Sequence, residues 1–497
     1  MQRTGPSTPA GLSRLAVRGV LWQAISFGLG RVLTLVATVV LARLLTPTEF
    51  GLVGLALVFV TFAEYLTDLG VAQALVYFER DERLQDAALT LCAAAGAVLA
   101  GAGLLAAPWI ADFFDAAEVE PMVRLLSVAL LLSALRQVPV ALLRRELAFR
   151  RLFATELART LVQGAVSIVL AATGAGAWAI VWGYVAGAAA CCVVAWAVVD
   201  YRPGLHFVRA LTAPVARRLL GYGGPAAAQA LLAALIFDID YLIVGSVLGA
   251  EALGLYTLAF RLPQVVIIGV FAVLSAVAFP MFSRARADPA RLKRGYLTSV
   301  RLQSAYGVAA GVGLFMVAPM LVPVVFGPRW SAAVVPLEAL ALYAAARSLG
   351  SGAVDVYKGI GRPGIGVAVA LVRLAVLVPA LVLAAHEGGI DAVAWTQAAL
   401  ALAFAVGMQS VAARIVGLGL ADLARALRPA LALAGGILVG AGLVRWGLTG
   451  PDGVRLVAAI VAGAGCGLVA LWRLDIGFLQ ESRALLAAGR GRPAVTT

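Results

Sequence analysis

A small set of ionisable residues lies inside long apolar stretches of the chain, where a charged side chain is costly and usually faces a cavity or a partner. Arg31 and Glu64 lie equally far from the turn predicted between the first two helices. Asp240 and Arg261 lie equally far from the turn predicted between the seventh and eighth helices. Two residues equally far from the turn of a helical hairpin lie at the same depth in the membrane. Arg31 could therefore form an ion pair with Glu64, and Arg261 with Asp240.

Two hypotheses fit these pairs. Each could be a structural ion pair that locks its hairpin and gains little beyond its own desolvation cost. Alternatively, each pair could line a cavity, with the arginine binding an anionic ligand and the acid, Glu64 or Asp240, binding a coupling cation, H+ or Na+. Asp238 is a further candidate for the cation. It lies about 200° from Asp240 around the helix, so the two carboxylates cannot face one cavity.

Arg347 and Arg373 form a different arrangement, because both are cationic and both lie equally far from the turn predicted between helices ten and eleven. We expect no acidic residue near them in that hairpin. Two guanidinium groups at one depth need an anion or water, and a phosphate fits the bidentate geometry of guanidinium. The sequence therefore indicates an anion site, with the alternative that the two side chains point to different helices.

Residues for enzymatic chemistry are sparse. The two histidines, His206 and His386, lie in predicted loops, and no metalloprotease, P-loop or nucleophile-elbow motif occurs. The four cysteines lie in apolar segments without CxxC spacing, so we interpret them as small buried residues. The net charge of +13 is spread over short loops, which argues against nucleic-acid binding. We expect no catalytic residues, no metal and no cofactor.

The elements that carry these residues follow from composition. Hydrophobic residues make up 62% of the 497 residues and charged residues only 13%, whereas a soluble chain has about a quarter charged residues; the mean hydropathy is +0.97. Apolar stretches of roughly 20 residues can cross a hydrocarbon layer about 30 Å thick, and such spans must be helical to satisfy the backbone. We predict an all-α polytopic membrane protein with about fourteen transmembrane helices. Their predicted spans are residues 19–45, 50–70, 87–111, 122–142, 152–173, 177–199, 219–248, 253–280, 300–326, 334–357, 364–385, 391–416, 427–447 and 454–473.

Charge predicts the orientation of these helices. When the predicted spans alternate across the membrane, most Lys and Arg residues collect in one set of loops, and the opposite loops are short and acidic. The positive-inside rule then places both termini in the cytoplasm. The predicted organisation is a cytoplasmic N-terminal segment, a six-helix N-lobe, a cytoplasmic linker, a six-helix C-lobe, two further helices and a cytoplasmic tail (residues 1–18, 19–200, 201–218, 219–416, 417–473 and 474–497).

The two lobes share a weak internal repeat. Residues 42–56 align without gaps with residues 245–259, and the identical positions include Gly51 with Gly254. Both segments fall at the predicted outer turn between the first two helices of a lobe. The repeat therefore predicts two lobes of the same orientation, related by an axis along the membrane normal, which is the plan of many alternating-access carriers.

Several ordered segments of the chain resemble Wzx-type polysaccharide flippases, chiefly the branch of colanic acid exporters. The first is VVLARLLTPTEFGLVGLALVFVTFAEYLTDLGVAQALV (39–76), and the others are residues 144–152, 240–262, 273–297 and 326–349. The resemblance implies the fold of the multidrug/oligosaccharidyl-lipid/polysaccharide exporter superfamily. It also implies a substrate, undecaprenyl-diphosphate-linked oligosaccharide, carried from the cytoplasmic to the outer leaflet of the bacterial plasma membrane for cell-surface polysaccharide biosynthesis.

Other functions fit parts of the sequence. A cation-coupled drug exporter of the same fold would favour an acidic, aromatic cavity, whereas embedded arginines outnumber embedded acids here. A lipid II flippase is a closer alternative, which the segments above resemble less. A membrane glycosyltransferase or polysaccharide polymerase would need a long outer loop with catalytic carboxylates, and none is predicted. The sequence leaves open whether the last two helices pack against one lobe or against a polymerase partner.

Overall fold

The computed structural model describes residues 28–79, 81–204, 207–285, 288–475 and 477–478. The predicted N-terminal segment, the first residues of the first predicted helix, His206 and nearly all of the predicted tail lie outside these described residues. The described chain is helical. We number its α-helices α1 (28–44), α2 (Pro47–Asp68), α3 (Val71–Tyr77), α4 (Glu82–Phe113), α5 (Val119–Arg145), α6 (Phe149–Ala172), α7 (Trp178–Val198), α8 (Ala213–Pro263), α9 (Gly269–Ala285), α10 (Pro289–Val325), α11 (Val334–Gly359), α12 (Pro363–Val416), α13 (Leu420–Ala426), α14 (Arg428–Gly447) and α15 (Asp452–Leu474).

Local sequence signals set the ends of these helices. Thr46 and Glu49 form a capping box at the start of α2, with the Glu49 carboxylate accepting from the Thr46 N–H at 2.7 Å. Pro47 occupies the first helical position, where its missing N–H costs nothing. Asp81 caps α4 by accepting from a backbone N–H. At the C-terminal end of α12, Gly417 adopts a φ of 76°, a backbone conformation that suits glycine, and the helix ends there.

Among the described residues, eleven helical segments are long and apolar enough to cross a membrane. Two helices are far longer than one crossing needs: α8 has 51 residues and α12 has 54, which corresponds to roughly 75–80 Å against a hydrocarbon layer of about 30 Å. Both contain a glycine with non-helical backbone angles, at Gly249 in α8 and at Gly388 and Gly389 in α12. These breaks lie where the sequence predicts turns. The chain is an all-α, multi-pass membrane protein.

The chain divides into two compact units, residues 1–254 and 255–497. In unit 1, α5 packs against α2, α4 and α7, and α6 packs along α7. One of its apolar clusters joins residues of α3, α4 and α5. Unit 1 extends through the first part of α8 to Gly254. The sequence repeat instead places the start of the second lobe at residue 219, so the compact units and the predicted lobes have different boundaries.

In unit 2, α11 packs between α10 and α12, and α14 pairs with α15. Both α14 and α15 also pack against α10. The last two long helices therefore belong to unit 2.

An ion pair attaches α14 to α11. Arg445 Nη2 lies 2.9 Å from Glu338 Oε1, and only 22% and 12% of the two side chains are exposed. The Arg445 guanidinium also lies 5.9 Å from the ring centre of Phe315 in α10. The charged groups are partly desolvated, so the pair is worth more than an exposed one and leaves an unpaired charge when broken.

We expect Arg445→Met or Glu338→Gln to lower the free energy of unfolding by about 1–3 kcal/mol, between the values for exposed and buried pairs. The measurement is SDS-induced unfolding of the purified chain in mixed micelles. The double variant should lose less than the sum of the single variants, because the second change removes the orphaned partner. Additive losses would show that the two groups do not interact.

Candidate polar sites within the membrane helices

Helices of unit 1 bring polar side chains together between their apolar faces. Ser133 in α5 donates a hydrogen bond to Glu64 in α2, with 2.6 Å between Oγ and Oε1. The hydroxyl of Tyr184 in α7 lies within hydrogen-bonding reach of the same carboxylate. Arg159 in α6 places its guanidinium carbon 5.5 Å from the centre of the Tyr184 ring. Together with Arg136, these residues are called the embedded polar cluster below.

The cluster contains two guanidinium groups and one carboxylate. Arg159 lies within electrostatic range of Glu64, and Arg136 lies within range of Tyr184. Two further acids act on the arginines from the edge of the cluster: Asp68 on Arg136 and the exposed Glu156 on Arg159. Low-dielectric surroundings strengthen such interactions. The site can therefore hold an anion between its arginines or a cation at Glu64.

The other predicted residues of unit 1 differ in burial and in their contacts. Arg31, predicted at the depth of Glu64, lies half-buried in α1. Asp240 is 1% exposed, and its Oδ1 accepts from the Tyr241 N–H at 3.0 Å. Asp238 is half-buried and lies within electrostatic range of Tyr65 in α2. The different exposure of the two aspartates agrees with their positions on different sides of α8.

Backbone contacts between α2 and α8 involve the two repeat segments. A Cβ atom on Gly51 would lie 1.6 Å from the carbonyl oxygen of Ala250, and a Cβ atom on Gly254 would lie 1.9 Å from the carbonyl oxygen of Pro47. In the repeat alignment, Pro47 corresponds to Ala250 and Gly51 to Gly254. The contact is therefore reciprocal, as expected for segments related by a local twofold axis.

A second backbone contact joins α8 to the chain between α2 and α3. A Cβ atom on Gly223 would lie 2.7 Å from the carbonyl oxygen of Gly70. Tyr77 and Tyr222 stack beside this contact, with 4.3 Å between their ring centres. Within unit 1, the first part of α8 thus lies against α2 and α3 near both ends of the span.

Unit 2 contains a second buried polar group of residues between α10, α11 and α12. The Gln303 side chain donates to Ser299 Oγ at 2.9 Å and accepts from the Ser351 hydroxyl. The Tyr296 hydroxyl donates to Gln409, whose amide donates to a backbone carbonyl of α11. We call this set the unit 2 polar network. It ties three membrane helices together through hydrogen bonds that tolerate little displacement.

The predicted arginines of unit 2 lie on three helices. Arg347 in α11 donates to the Tyr343 hydroxyl at 2.9 Å. Arg373 in α12 has a buried Nε atom without a hydrogen-bond partner among the described residues. Arg261 is half-buried near the end of α8. The buried Nε atom of Arg373 is a donor that an anionic ligand could use.

Asp355 corrects one expectation. We predicted no acidic residue near Arg347 and Arg373 in their hairpin, but Asp355 lies in α11, about two turns beyond Arg347, and is only 5% exposed. Asp355 lies inside α11, which continues to Gly359, so a buried carboxylate shares this helix with Arg347.

Sequence reasoning also missed Arg136 and Arg159. Both lie inside predicted spans, equally far from the turn at Leu147 between α5 and α6. The depth argument used for the other hairpins would have paired them. Within the described residues, no group of three or more His, Cys, Asp and Glu side chains could hold a metal ion.

The fold is similar to that of solved membrane proteins. The chain is similar to a solved structure of the lipid II flippase MurJ in an inward closed conformation, with a TM-score of 0.74 and 14% identity over 93% of this chain and 100% of that one. It is also similar to an inward-facing multidrug resistance MATE family transporter of the MOP superfamily, with a TM-score of 0.65 and 15% identity over 78% of this chain and 94% of that one. The chain therefore shares the fold of these two polytopic membrane proteins.

The sequence model of the polysaccharide biosynthesis protein family matches residues 40–335, and the chain belongs to this family. It is 26% identical to the lipopolysaccharide biosynthesis protein WzxC of Escherichia coli (strain K12), over 76% of this chain and 77% of WzxC. It is 26% identical to the teichuronic acid biosynthesis protein TuaB of Bacillus subtilis (strain 168), over 96% of this chain and 99% of TuaB. The succinoglycan biosynthesis transport protein ExoT of Rhizobium meliloti (strain 1021) is 25% identical over 78% of each chain. These findings confirm the Wzx-type resemblance: the protein is a membrane transporter of polysaccharide biosynthesis and not an enzyme.

Proposed function

We propose that the protein is a flippase that moves undecaprenyl-diphosphate-linked oligosaccharide across the bacterial plasma membrane by alternating access, for cell-surface polysaccharide biosynthesis. Family membership supports the process. The relatives are named for lipopolysaccharide, teichuronic acid and succinoglycan. These three polysaccharides differ, so the relatives do not indicate one glycan for this protein. The proposal therefore specifies the lipid diphosphate carrier and leaves the glycan open.

The proposed topology has fourteen transmembrane helices, with both termini in the cytoplasm and two six-helix lobes at residues 19–200 and 219–416. The glycine breaks in α8 and α12 support this number, because each break allows one long helix to cross twice. The reciprocal contact of the repeat segments supports the related lobes. The lobes are defined by the repeat, whereas the compact units are defined by contacts.

One observation carries the choice of an anionic substrate: both units hold guanidinium groups within membrane-length helices, including Arg136 and Arg159 in unit 1 and Arg347 and Arg373 in unit 2. A diphosphate offers several acceptor oxygens for such groups. Arg31 and Arg261 extend this cationic set in the proposal. A cationic drug would be repelled by the same residues.

The proposed coupling ion, H+ or Na+, binds at a carboxylate. Glu64 is the first candidate, because it lies among the arginines of the embedded polar cluster. Asp240 and Asp238 are the candidates in α8. Membrane lipids surround the protein, and polysaccharide polymerase or export machinery receives the flipped product.

The glycine contacts supply the proposed gates. In the proposed orientation, the contact of Gly51 and Gly254 lies at the outer end of α2 and α8, and the contact of Gly70 with Gly223 lies at the cytoplasmic end. Alternating access requires these two contacts to open in turn.

The leaflet distribution of lipid-linked oligosaccharide in cells tests the proposal. Deleting the gene should trap the lipid-linked oligosaccharide in the cytoplasmic leaflet, and expression of the chain should restore its exposure at the outer surface. Peptidoglycan synthesis and resistance to cationic drugs should not change. Rescue of cells depleted of their lipid II flippase would favour that alternative, and drug efflux with normal oligosaccharide exposure would favour an exporter.

A further inference from the structure

A basic cavity of about 500 Å³ lies at one end of unit 2. Helices α10, α13, α14 and α15 contribute its walls. Its charged lining consists of four arginines and two aspartates: Arg294, Arg301, Asp422, Arg425, Arg428 and Asp475. None of these residues belongs to the proposed transport site.

Both aspartates are already bound within the protein. Asp475 accepts from Arg301 Nη2 at 2.9 and 3.1 Å and from a backbone N–H at 3.1 Å. Asp422 accepts from Arg425 Nη2 at 2.5 Å and from a backbone N–H at 3.0 Å. Each acid therefore neutralises the charge of one arginine.

Arg294 and Arg428 provide the remaining positive charge. Both are exposed and both line the cavity. Among the residues that the structure describes, neither has an ion-pair partner. The cavity thus offers two guanidinium groups to an external anion with several oxygen acceptors, and a phosphate group has this chemistry.

The cavity adjoins an apolar groove. Arg428 is the first residue of α14, and Leu474 is the last residue of α15, so the arginines lie where two membrane-length helices end. Leu474 also lines a second cavity of about 630 Å³ between α14 and α15, whose walls include Leu431, Val439 and Val469. A ligand with a phosphate at one end and a hydrocarbon chain at the other would contact both.

We propose that this cavity binds the headgroup of an anionic phospholipid of the bilayer, with a fatty-acyl chain in the adjoining groove. The phosphate accepts hydrogen bonds from Arg294 and Arg428. Among the described residues, no acid forms an ion pair with either arginine, so the phosphate displaces no internal partner. Free phosphate shares the headgroup chemistry but leaves the apolar groove unused. The proposal does not depend on the transported substrate.

Native mass spectrometry of the full chain, delipidated in detergent, tests this site. Phosphatidylglycerol should bind more tightly than phosphatidylcholine with the same acyl chains. Arg294→Ala/Arg428→Ala should weaken phosphatidylglycerol binding by roughly 10- to 30-fold, since a basic residue near an anionic lipid surface contributes about one factor of five. Arg294→Lys/Arg428→Lys should retain most of the affinity.

The matched control is Arg291→Ala/Arg473→Ala, which removes two exposed arginines of α10 and α15 that do not line the cavity. This control should bind phosphatidylglycerol like the wild-type chain. Equal losses in both alanine pairs, or equal binding of both lipids, would overturn the site. Displacement of the lipid by millimolar inorganic phosphate would overturn the choice of a phospholipid. Size-exclusion profiles and lipid-free melting temperatures check the folding of each variant, and Arg428→Glu repeats the test if the alanine pair aggregates.

Discussion

Alanine at both Gly51 and Gly254 is expected to slow transport about 100-fold while leaving the chain folded. Each new Cβ atom would overlap a backbone oxygen, at 1.6 Å from Ala250 and 1.9 Å from Pro47, and no side-chain rotation relieves a clash with backbone. Overpacking costs about 1–3 kcal/mol at each site, and every 1.4 kcal/mol is a factor of ten in a population. The conformation in which this contact is open has no such clash, so the variant still folds. It can no longer close the contact readily, and transport therefore slows.

The distance across the contact reports the same change directly. Thr48 and Glu251 are exposed residues at corresponding positions of the two repeat segments. Spin labels at these positions should move apart in Gly51→Ala/Gly254→Ala. Gly223→Ala, which disturbs the contact with Gly70 at the other end, should not separate them. Separation of the labels in the first variant but not in the second is the result expected for two gates that open in turn.

Gly101→Ala is the matched control, because Gly101 lies in α4 and a Cβ atom added there would meet no atom of a neighbouring element within 4 Å. Alanine also favours a helix over glycine by about 1 kcal/mol. This variant should transport at the wild-type rate. If Gly51→Ala/Gly254→Ala transports as fast as Gly101→Ala, the contact has no part in the transport cycle.

Glu64→Gln is expected to slow transport by roughly 5- to 150-fold, the range that corresponds to a coupling free energy of about 1–3 kcal/mol. Glutamine keeps an oxygen that accepts from Ser133 and Tyr184, so the local hydrogen bonds survive. It removes the charge that would bind H+ or Na+ and balance Arg159. The dependence of the transport rate on an imposed proton or sodium gradient should therefore disappear.

Two variants separate this role from a structural one. Glu156→Gln removes an exposed carboxylate of α6 within range of Arg159 and should leave the gradient dependence unchanged. Glu64→Ala removes the acceptor as well as the charge and should lower the melting temperature, which Glu64→Gln should not. A Glu64→Gln variant with full, gradient-dependent transport would assign Glu64 to packing alone.

The helices were predictable from the sequence because membrane spans have a fixed length and a strong apolar signal. Even the breaks at Gly249 and near Gly388 fall where turns are predicted, since glycine relieves the backbone there. The attachment of α14 through Arg445 and Glu338 was not predictable, because the partners lie far apart in the chain. Such a contact depends on which helix faces meet.

The candidate site was predictable only in part, for the same reason. Depth within a hairpin selects ionisable residues, and Glu64 was selected in this way. Depth does not say which helices surround it, so Ser133, Arg159 and Tyr184 were not assigned to it. The repeat identified Gly51 as equivalent to Gly254, but sequence similarity cannot show that the equivalent segments touch.

Flipping of a labelled undecaprenyl-diphosphate oligosaccharide in proteoliposomes tests the central claim most directly. We predict that the purified wild-type chain moves this lipid between leaflets at least about tenfold faster than protein-free vesicles, and that Arg373→Ala, folded to the same degree, loses most of that rate. Rapid flipping by Arg373→Ala would keep the function and remove Arg373 from the site. Absence of flipping by the wild-type chain, under conditions in which it binds the lipid, would contradict the account.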